Sequence, residues 1–174
     1  FKDVKFDLIV SGINHGANTA INIIYSGTVS AATEGTILGI PSIAISLTTF
    51  SKVDFKTPAK IAGNIVRQIW EDEMIKVHPG ILLNINIPNA EEKDIKGVKI
   101  TKQGKSFWQD SFEVRADPNG RDYYWLTGKM VYRDELTEFD VAAVQNNYVS
   151  ITPLHYDLTD YAAYEEIKNW KLNK

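Results

Sequence analysis

Asp7-Leu8-Ile9-Val10-Ser11-Gly12-Ile13-Asn14-His15-Gly16-Ala17-Asn18, followed shortly by Tyr25-Ser26-Gly27-Thr28-Val29, is the stretch whose reading decides the fold of this chain. Its first part, the apolar run Phe6 to Val10 ending on Ser-Gly, reads as a central parallel strand buried on both faces. A polar, glycine-bearing loop follows, and then a small-residue turn that opens a helix. In an open α/β sheet such a junction faces the ligand crevice at the carboxyl ends of the strands. The free N–H groups of a helix N-terminus are a natural anion site. The segment therefore reads as a phosphate-binding corner that offers oxygen ligands. A crevice of this kind normally draws on earlier strands as well, yet the corner stands almost at the start of the chain. Because the first residue is Phe1, not Met, the expectation is a fragment of a longer protein.

Outward from the corner, the small residues Ser30, Ala31, Ala32 and Gly35 predict a helix over 28–38 able to lie close on a sheet, with Gly39 as its stop. Ile40 to Leu47 reads as the next strand, with Pro41 tolerable only at its beginning. Thr57-Pro58 predicts an N-cap and first helical residue, and Ile61, Ile65 and Ile69 line one helical face beyond it. Leu83, Ile85 and Ile87 alternate with Asn84 and Asn86 before Pro88 ends a third strand. The β-α-β-α-β order predicts an α/β fold with a parallel sheet and crossover helices. Past Pro88 the pattern changes. Val98–Thr101 reads as a strand, and Asp117-Pro118-Asn119-Gly120 is a turn between the arms of a hairpin, 112–115 and 123–126. Met130–Tyr132 and Tyr148–Ile151 are further strand candidates, and Thr159 is the expected cap of a last helix from Asp160 to about Leu172.

The 174 residues suit one domain, with 44% hydrophobic and 24% charged residues, ordinary for a soluble globular protein. A formal net charge of -3 lacks the basic footprint of nucleic-acid binding. No apolar run is long enough to span a bilayer, so no membrane partner is expected. The absence of Cys removes disulfides and thiolate chemistry and is compatible with the cytoplasm, the expected compartment.

The side-chain oxygen of Asn14 can complete the shell of a hard cation such as Mg²⁺ or Mn²⁺. An Asn that bonds its own loop backbone is the commoner use of the residue, and Asn18 carries the same two readings. His15, His78 and His155 lack zinc-site spacing. In Ser26-Gly27-Thr28 the hydroxyls supply a cap while glycine lets the backbone approach an oxyanion; an ordinary capped helix start has the same composition. GxxxxGK[ST], GxGxxG and GxSxG are all absent, which leaves NTP binding, NAD binding and the usual hydrolase elbow without a motif. Phe107, Trp108, Phe112, Tyr123, Tyr124 and Trp125 crowd one region, where cross-strand pairing or interface anchoring is a commoner role than base stacking. Glu71-Asp72-Glu73 reads as a solvated helix end, and Asp140 has no assignable role.

Taken in succession, Ser11-Gly12-Ile13-Asn14-x-Gly16-x-Asn18, Tyr25-Ser26-Gly27-Thr28-Val29 with Ala31-Ala32-x-Glu34-Gly35, and Gly39-Ile40-Pro41-Ser42-Ile43-Ala44-x-Ser46-Leu47 resemble the SurE (survival protein E) family of nucleotidases. Asn84-Ile85-Asn86-Ile87-Pro88, the Asp117–Arg121 turn and Tyr148-Val149-Ser150-Ile151-Thr152-Pro153-Leu154 continue the match in the family's order over nearly the whole chain. The resemblance implies a metal-dependent phosphomonoesterase acting on nucleoside monophosphates with Mg²⁺ or Mn²⁺. It also implies a Rossmann-like, three-layer α/β domain with an extended C-terminal arm that builds homodimers or homotetramers. In its terms Asn14 is a metal ligand, and Ser26, Gly27 and Thr28 border the phosphate with Asn18 a weaker neighbour. Residues 1–174 would form a single domain lacking its N-terminal strands: 1–95 belong to the nucleotidase core, and 96–174 complete it and carry the hairpin arm and tail used for oligomerisation. The family's Asn-Asp-Asp-Gly motif and its ligating Ser have no counterpart here, and Thr19–Ile24 replaces a Gly-Asp-Asp stretch. No catalytic residue is therefore assigned in the chain. Paired Asp residues are expected upstream, and the active site as given is expected to be incomplete. The alternative reading is a non-catalytic assembly module of the same family.

Overall fold

The computed structural model describes residues 2–52, 54–72 and 80–171. A five-stranded sheet runs in the order β1-β2-β3-β7-β4. Its strands are β1 (Ile9–His15), β2 (Ser42–Leu47), β3 (Ile81–Ile87), β4 (Val98–Ile100) and β7 (Val149–His155). The helices α1 (Gly27–Ile37) and α2 (Lys56–Glu71) are the crossovers between the first three. The pairs β1–β2, β2–β3 and β4–β7 are parallel, as the β-α-β-α-β order predicts. β7 is antiparallel to β3, a departure from a wholly parallel sheet. The chain passes from β3 to β4, two positions away, and β7 later fills the place between them. The fold class is α/β.

Strand alternation sorts the core into two unlike faces. Ile43, Ile45 and Leu47 with Ile85 and Ile87 point to the side of α2, where Ala62, Ile65 and Ile69 close the main apolar cluster. Each buried isoleucine contributes roughly 1.5–3 kcal/mol on this face. The opposite face carries Ser42, Ala44, Ser46, Leu82, Asn84 and Asn86, and α1 lies on it through Val29 and Ala32. Close approach explains the small residues: a Cβ on Gly35 would meet Ser42 Oγ at 2.4 Å and Ile9 Cδ1 at 2.5 Å.

Several boundaries differ from those expected. β1 begins at Ile9 and runs on to His15, so Asn14 lies in a strand and not in a loop. The register slips between Ser11 and Asn14, and Gly12 at φ +125 sits where a Cβ would come within 2.2 Å of Ile45 O. Only glycine permits that pairing to continue. Helix α2 starts at Lys56 with Phe55 as N-cap residue, so Thr57 is not the cap; Asp54 Oδ1 accepts from the Lys56 N–H at 3.0 Å. Gly39 does follow α1 at φ +76, and α1 itself starts at Gly27. Glu71 ends α2; Glu73 and His78 lie outside the described residues.

The hairpin is longer than its turn suggested: β5 (Phe107–Ala116) pairs with β6 (Asp122–Val131) across ten residues each, absorbing Met130 and Val131. Asp117 Oδ1 accepts from Asn119 N–H and Arg121 N–H, both at 2.8 Å, which holds the turn. A short helix, α3 (Asp140–Gln145), has no counterpart in the sequence reading. The last helix, α4 (Tyr161–Ile167), is shorter than expected and is capped by Asp160, not Thr159: Asp160 Oδ1 accepts from Ala163 N–H at 2.9 Å. The final expected helical residue, Leu172, lies outside the described residues.

Candidate functional site

The corner is built by β1 and the helix that follows it. Asn14, near the end of β1, stands opposite Ser46 of β2 in register. Its Nδ2 donates to the Gly16 carbonyl at 2.8 Å, so Oδ1 is the atom of this amide left to face a cation. Gly16, at φ +119, turns the chain away from the sheet against the Phe50 ring and donates to Leu47 O at 3.0 Å.

Asn18 is buried and committed to the protein. Its Nδ2 donates to Ser46 Oγ at 2.7 Å and its N–H to Asn86 Oδ1 at 2.9 Å. Its carbonyl accepts from Asn84 Nδ2 at 2.8 Å and Asn86 Nδ2 at 3.0 Å. Asn86 thus grips the Asn18 backbone with both ends of its amide, as a neighbouring strand would. Ser46 connects the two predicted asparagines, by register to Asn14 and by hydrogen bond to Asn18. Asn18 acts from behind the corner, holding its shape.

A 3-10 turn (Ala20–Tyr25) carries the chain from this grip to α1. Ser26 is the N-cap: its Oγ accepts from Val29 N–H at 3.1 Å, and its carbonyl accepts from both the N–H and the hydroxyl of Ser30. The first N–H groups of a helix have no partner within it. Val29 N–H is taken by the cap, which leaves Gly27 and Thr28 as the donors at this end. A Cβ added to Gly27 would meet nothing within 4 Å. No neighbouring atom and no positive φ therefore requires glycine there.

A buried carboxylate from the far half of the chain, Asp140, braces the same loop, and a second, Asp134, braces residues 105–106. Asp140, wholly buried, accepts from Ala20 N–H at 2.8 Å, Gly104 N–H at 3.0 Å and Val141 N–H at 2.8 Å. Burial raises its pKa above the ordinary aspartate value, and these three donors only partly oppose the rise. Asp134 Oδ2 accepts from Lys105 N–H and Ser106 N–H at 2.8 Å and from the Ser106 hydroxyl at 2.6 Å. Burial alone would push Asp134 up, but those donors and the Lys105 charge together hold it below its ordinary value.

Sequence reasoning missed Asp140, and Asn84 and Asn86 entered only as part of a motif. Asparagines inside an otherwise isoleucine strand were the available signal for the latter pair. Asp140 had none, since its partners Ala20 and Gly104 are 120 and 36 residues away.

A cavity of about 520 Å³ opens at the carboxyl ends of β1, β2 and β3, between Thr48, Phe50 and Asn89 on the sheet side and Trp108, Met130 and Tyr132 at the base of the hairpin. Neither Asn14 nor Ser26, Gly27 or Thr28 lines it. For a divalent cation the donor set is thin. Among the described residues no three His, Asp or Glu side chains cluster to hold one, and Asn14 offers a single neutral oxygen. These residues alone do not fit Mg²⁺ or Mn²⁺, which are held through carboxylates. His15 instead meets Ser51 O at 2.7 Å, and His155 Nδ1 accepts from Asp157 N–H at 2.9 Å.

The fold and the corner have close relatives. The chain is 46% identical over 171 residues to the 5′-nucleotidase SurE of Natranaerobius thermophilus, covering 98% of this chain and 66% of that protein. It is 46% identical over 170 residues to the 5′-nucleotidase SurE of Chlorobaculum tepidum, covering 98% and 64%. The crystal structure of the SurE protein from Aquifex aeolicus superposes with a TM-score of 0.80 at 41% identity, over 96% of this chain and 66% of that one. The chain thus spans just under two thirds of the length of the curated relatives it matches. Residues 1–110, which carry the corner and the first four strands, match the model of the Survival protein SurE family, and the chain belongs to that family.

Proposed function

We propose that this chain forms part of a metal-dependent phosphomonoesterase of the 5′-nucleotidase type, which hydrolyses nucleoside monophosphates to nucleoside and phosphate. The observation that carries the reading is the start of α1, where Ser26 caps the helix and Gly27 stands in open space with the helix's first N–H groups. Such an end suits a phosphate oxyanion. Relatives named 5′-nucleotidase SurE support the same reaction class. Ser26, Gly27 and Thr28 hold the phosphate and orient its ester oxygen, and Asn18 keeps the preceding loop in place through Ser46, Asn84 and Asn86.

Asn14 Oδ1 is the chain's contribution to a bound Mg²⁺ or Mn²⁺. Such a cation would supply charge neutralisation at the phosphate and a positioned water. Because these residues alone do not fit the cation, the 174-residue chain by itself is expected to be inactive. The reading also includes the cytoplasm as its compartment, and no helix among the described residues is long and apolar enough to cross a membrane.

The test is phosphate release from 5′-AMP with added Mn²⁺, comparing the chain with a form extended at its N-terminus. Release confined to the extended form, and reduced at least about tenfold there by Asn14→Ala, is the expected result. Equal release by both forms would overturn the incomplete site. No release from either would overturn the phosphomonoesterase and favour the assembly module.

The arm gives that second reading its own observation. In β5 and β6 the directly opposed pairs Phe112–Leu126 and Val114–Tyr124 share one face, and all four side chains are more than half exposed. A two-stranded ribbon with an uncovered apolar face is marginal alone. A second copy of the chain is the proposed cover, in a homodimer or homotetramer, consistent with residues 96–174 serving assembly.

A further inference from the structure

Ala20 stands in the left-handed region, at φ +51, and is fully buried. That conformation crowds the Cβ of any residue but glycine, so it persists only where the surroundings impose it. Thr19, just before it, is extended at φ -122 and ψ 161, on the strand-like path that Asn84 and Asn86 give to Asn18. Ala20 then begins the 3-10 turn that runs to Tyr25 and delivers Ser26. It is the corner at which the chain leaves the sheet for the proposed phosphate turn.

The polar groups of this corner are taken by residues remote in sequence. Asp140 Oδ2 accepts from Ala20 N–H at 2.8 Å, Gln103 Nε2 donates to Ala20 O at 3.0 Å, and Ser106 O accepts from Ile21 N–H at 3.2 Å. The Ala20 N–H belongs to the peptide before its Cα and the carbonyl to the peptide after it, so these bonds fix φ and ψ together. Gln103 and Ser106 lie in the strip that leads into β5, and that strip is fixed in turn. Asp140 Oδ1 accepts from Gly104 N–H, and Asp134 Oδ2 from Lys105 and Ser106 N–H. A Cβ on Gly104 would meet Asp134 Oδ2 at 2.5 Å and Asp140 Oδ1 at 3.0 Å, so glycine at 104 lets both carboxylates close on the strip.

Resting on the reading of the Ser26–Thr28 turn as the phosphate end, we propose that Asp140 and Gln103 are positioning residues for hydrolysis of the phosphate ester. They hold Ala20 left-handed, and Ala20 sets where the 3-10 turn delivers the first N–H groups of α1. Neither side chain touches the phosphate; both act through the Ala20 backbone. A shift of about 1 Å in groups aimed at a reacting centre costs the chemical step up to about a hundredfold. Attraction between a helix end and a bound anion falls off more gently with distance, so the loss lies in kcat more than in KM.

The experiment measures kcat and KM for 5′-AMP with Mn²⁺ in the full protein, together with the melting temperature. Gln103→Leu removes the tie to the Ala20 carbonyl. Asp140→Asn keeps an oxygen for Gly104 and Val141 and turns a donor toward Ala20 N–H. Each variant is expected to lower kcat at least about tenfold with KM within about threefold of wild type. Adding Ala20→Gly to Gln103→Leu is expected to recover at least about threefold in kcat, because glycine adopts a φ of +51 unaided. A lower melting temperature with kcat and KM within about twofold of wild type would make both residues structural only and overturn the proposal. So would a loss of kcat that Ala20→Gly does not relieve. The Gln103 side chain is exposed, so Gln103→Leu decides the matter even where Asp140→Asn fails to fold. Gly27→Ala, assayed alongside, separates the two readings. Activity lost there but kept in Gln103→Leu and Asp140→Asn removes the positioning role alone. Full activity in Gly27→Ala, or no hydrolysis by the full protein, removes the phosphate turn and the positioning role with it.

Discussion

Gly27 and Gly12 are both glycines of the signature corner, and they are there for opposite physical reasons. Gly12 is enclosed: its φ of +125 and the 2.2 Å approach of a Cβ to Ile45 O leave no room for a side chain. Gly12→Ala is expected to lower unfolding free energy by about 2–5 kcal/mol in urea titration, from strain and overpacking together. Gly27 is open, and Gly27→Ala is expected to leave stability within about 1 kcal/mol of wild type. The same change should cut phosphate release at least about tenfold, because the methyl enters the space assigned to the oxyanion. A Gly27→Ala variant of full activity would show that the helix end meets no substrate.

At the scale of elements, the loop between β1 and α1 is held by side chains from strands and loops remote in sequence. Asn84 and Asn86 from β3 hold the Asn18 backbone, and Asp140 at the start of α3 holds Ala20 and Gly104. Asp140→Ala leaves three buried donors without an acceptor and is expected to cost about 3 kcal/mol or more, with the loop exchanging amide hydrogens faster. The two carboxylates also set opposite pH dependences. The raised Asp140 pKa means that its folded form binds a proton more readily than its unfolded form. Its contribution is therefore full below the unfolded pKa and is lost as pH rises through the folded value. The lowered pKa of Asp134 works the other way: its contribution is present above the unfolded pKa and is lost as pH falls through the folded value. Unfolding titrations on the acid side should thus show a shallower loss of stability on acidification in Asp134→Asn than in wild type. An unchanged acid limb would count against the Ser106 and Lys105 bonds as its origin.

The whole molecule consists of a sheet with one dry face and one polar face, and a ribbon whose apolar side has no cover among the described residues. Phe112, Val114, Tyr124 and Leu126 form that side. A single charge there, as in Leu126→Lys, is expected to weaken assembly at least about tenfold in light scattering across a concentration series, with the monomer's circular dichroism unchanged. An oligomer of unaltered strength would place the interface elsewhere.

The sequence by itself determined the α/β order, the two crossover helices, the Asp117–Gly120 turn and the family, because each of these is written in local periodicity, turn chemistry or motif succession. It also located the capped helix start at Ser26-Gly27-Thr28, the turn proposed to hold phosphate, since a capped helix start needs only neighbours in the chain. Long-range pairing was beyond it. That β1 runs on through Asn14 depends on Gly12 meeting Ile45, and that β7 lies antiparallel beside β3 depends on which gap the returning chain fills. Asp140 serves the corner across 120 residues, a relation that no local pattern encodes. The tertiary structure decided these things, because a buried hydrogen-bonding group is satisfied by whatever packing brings to it, and packing brings together residues that are far apart in the chain.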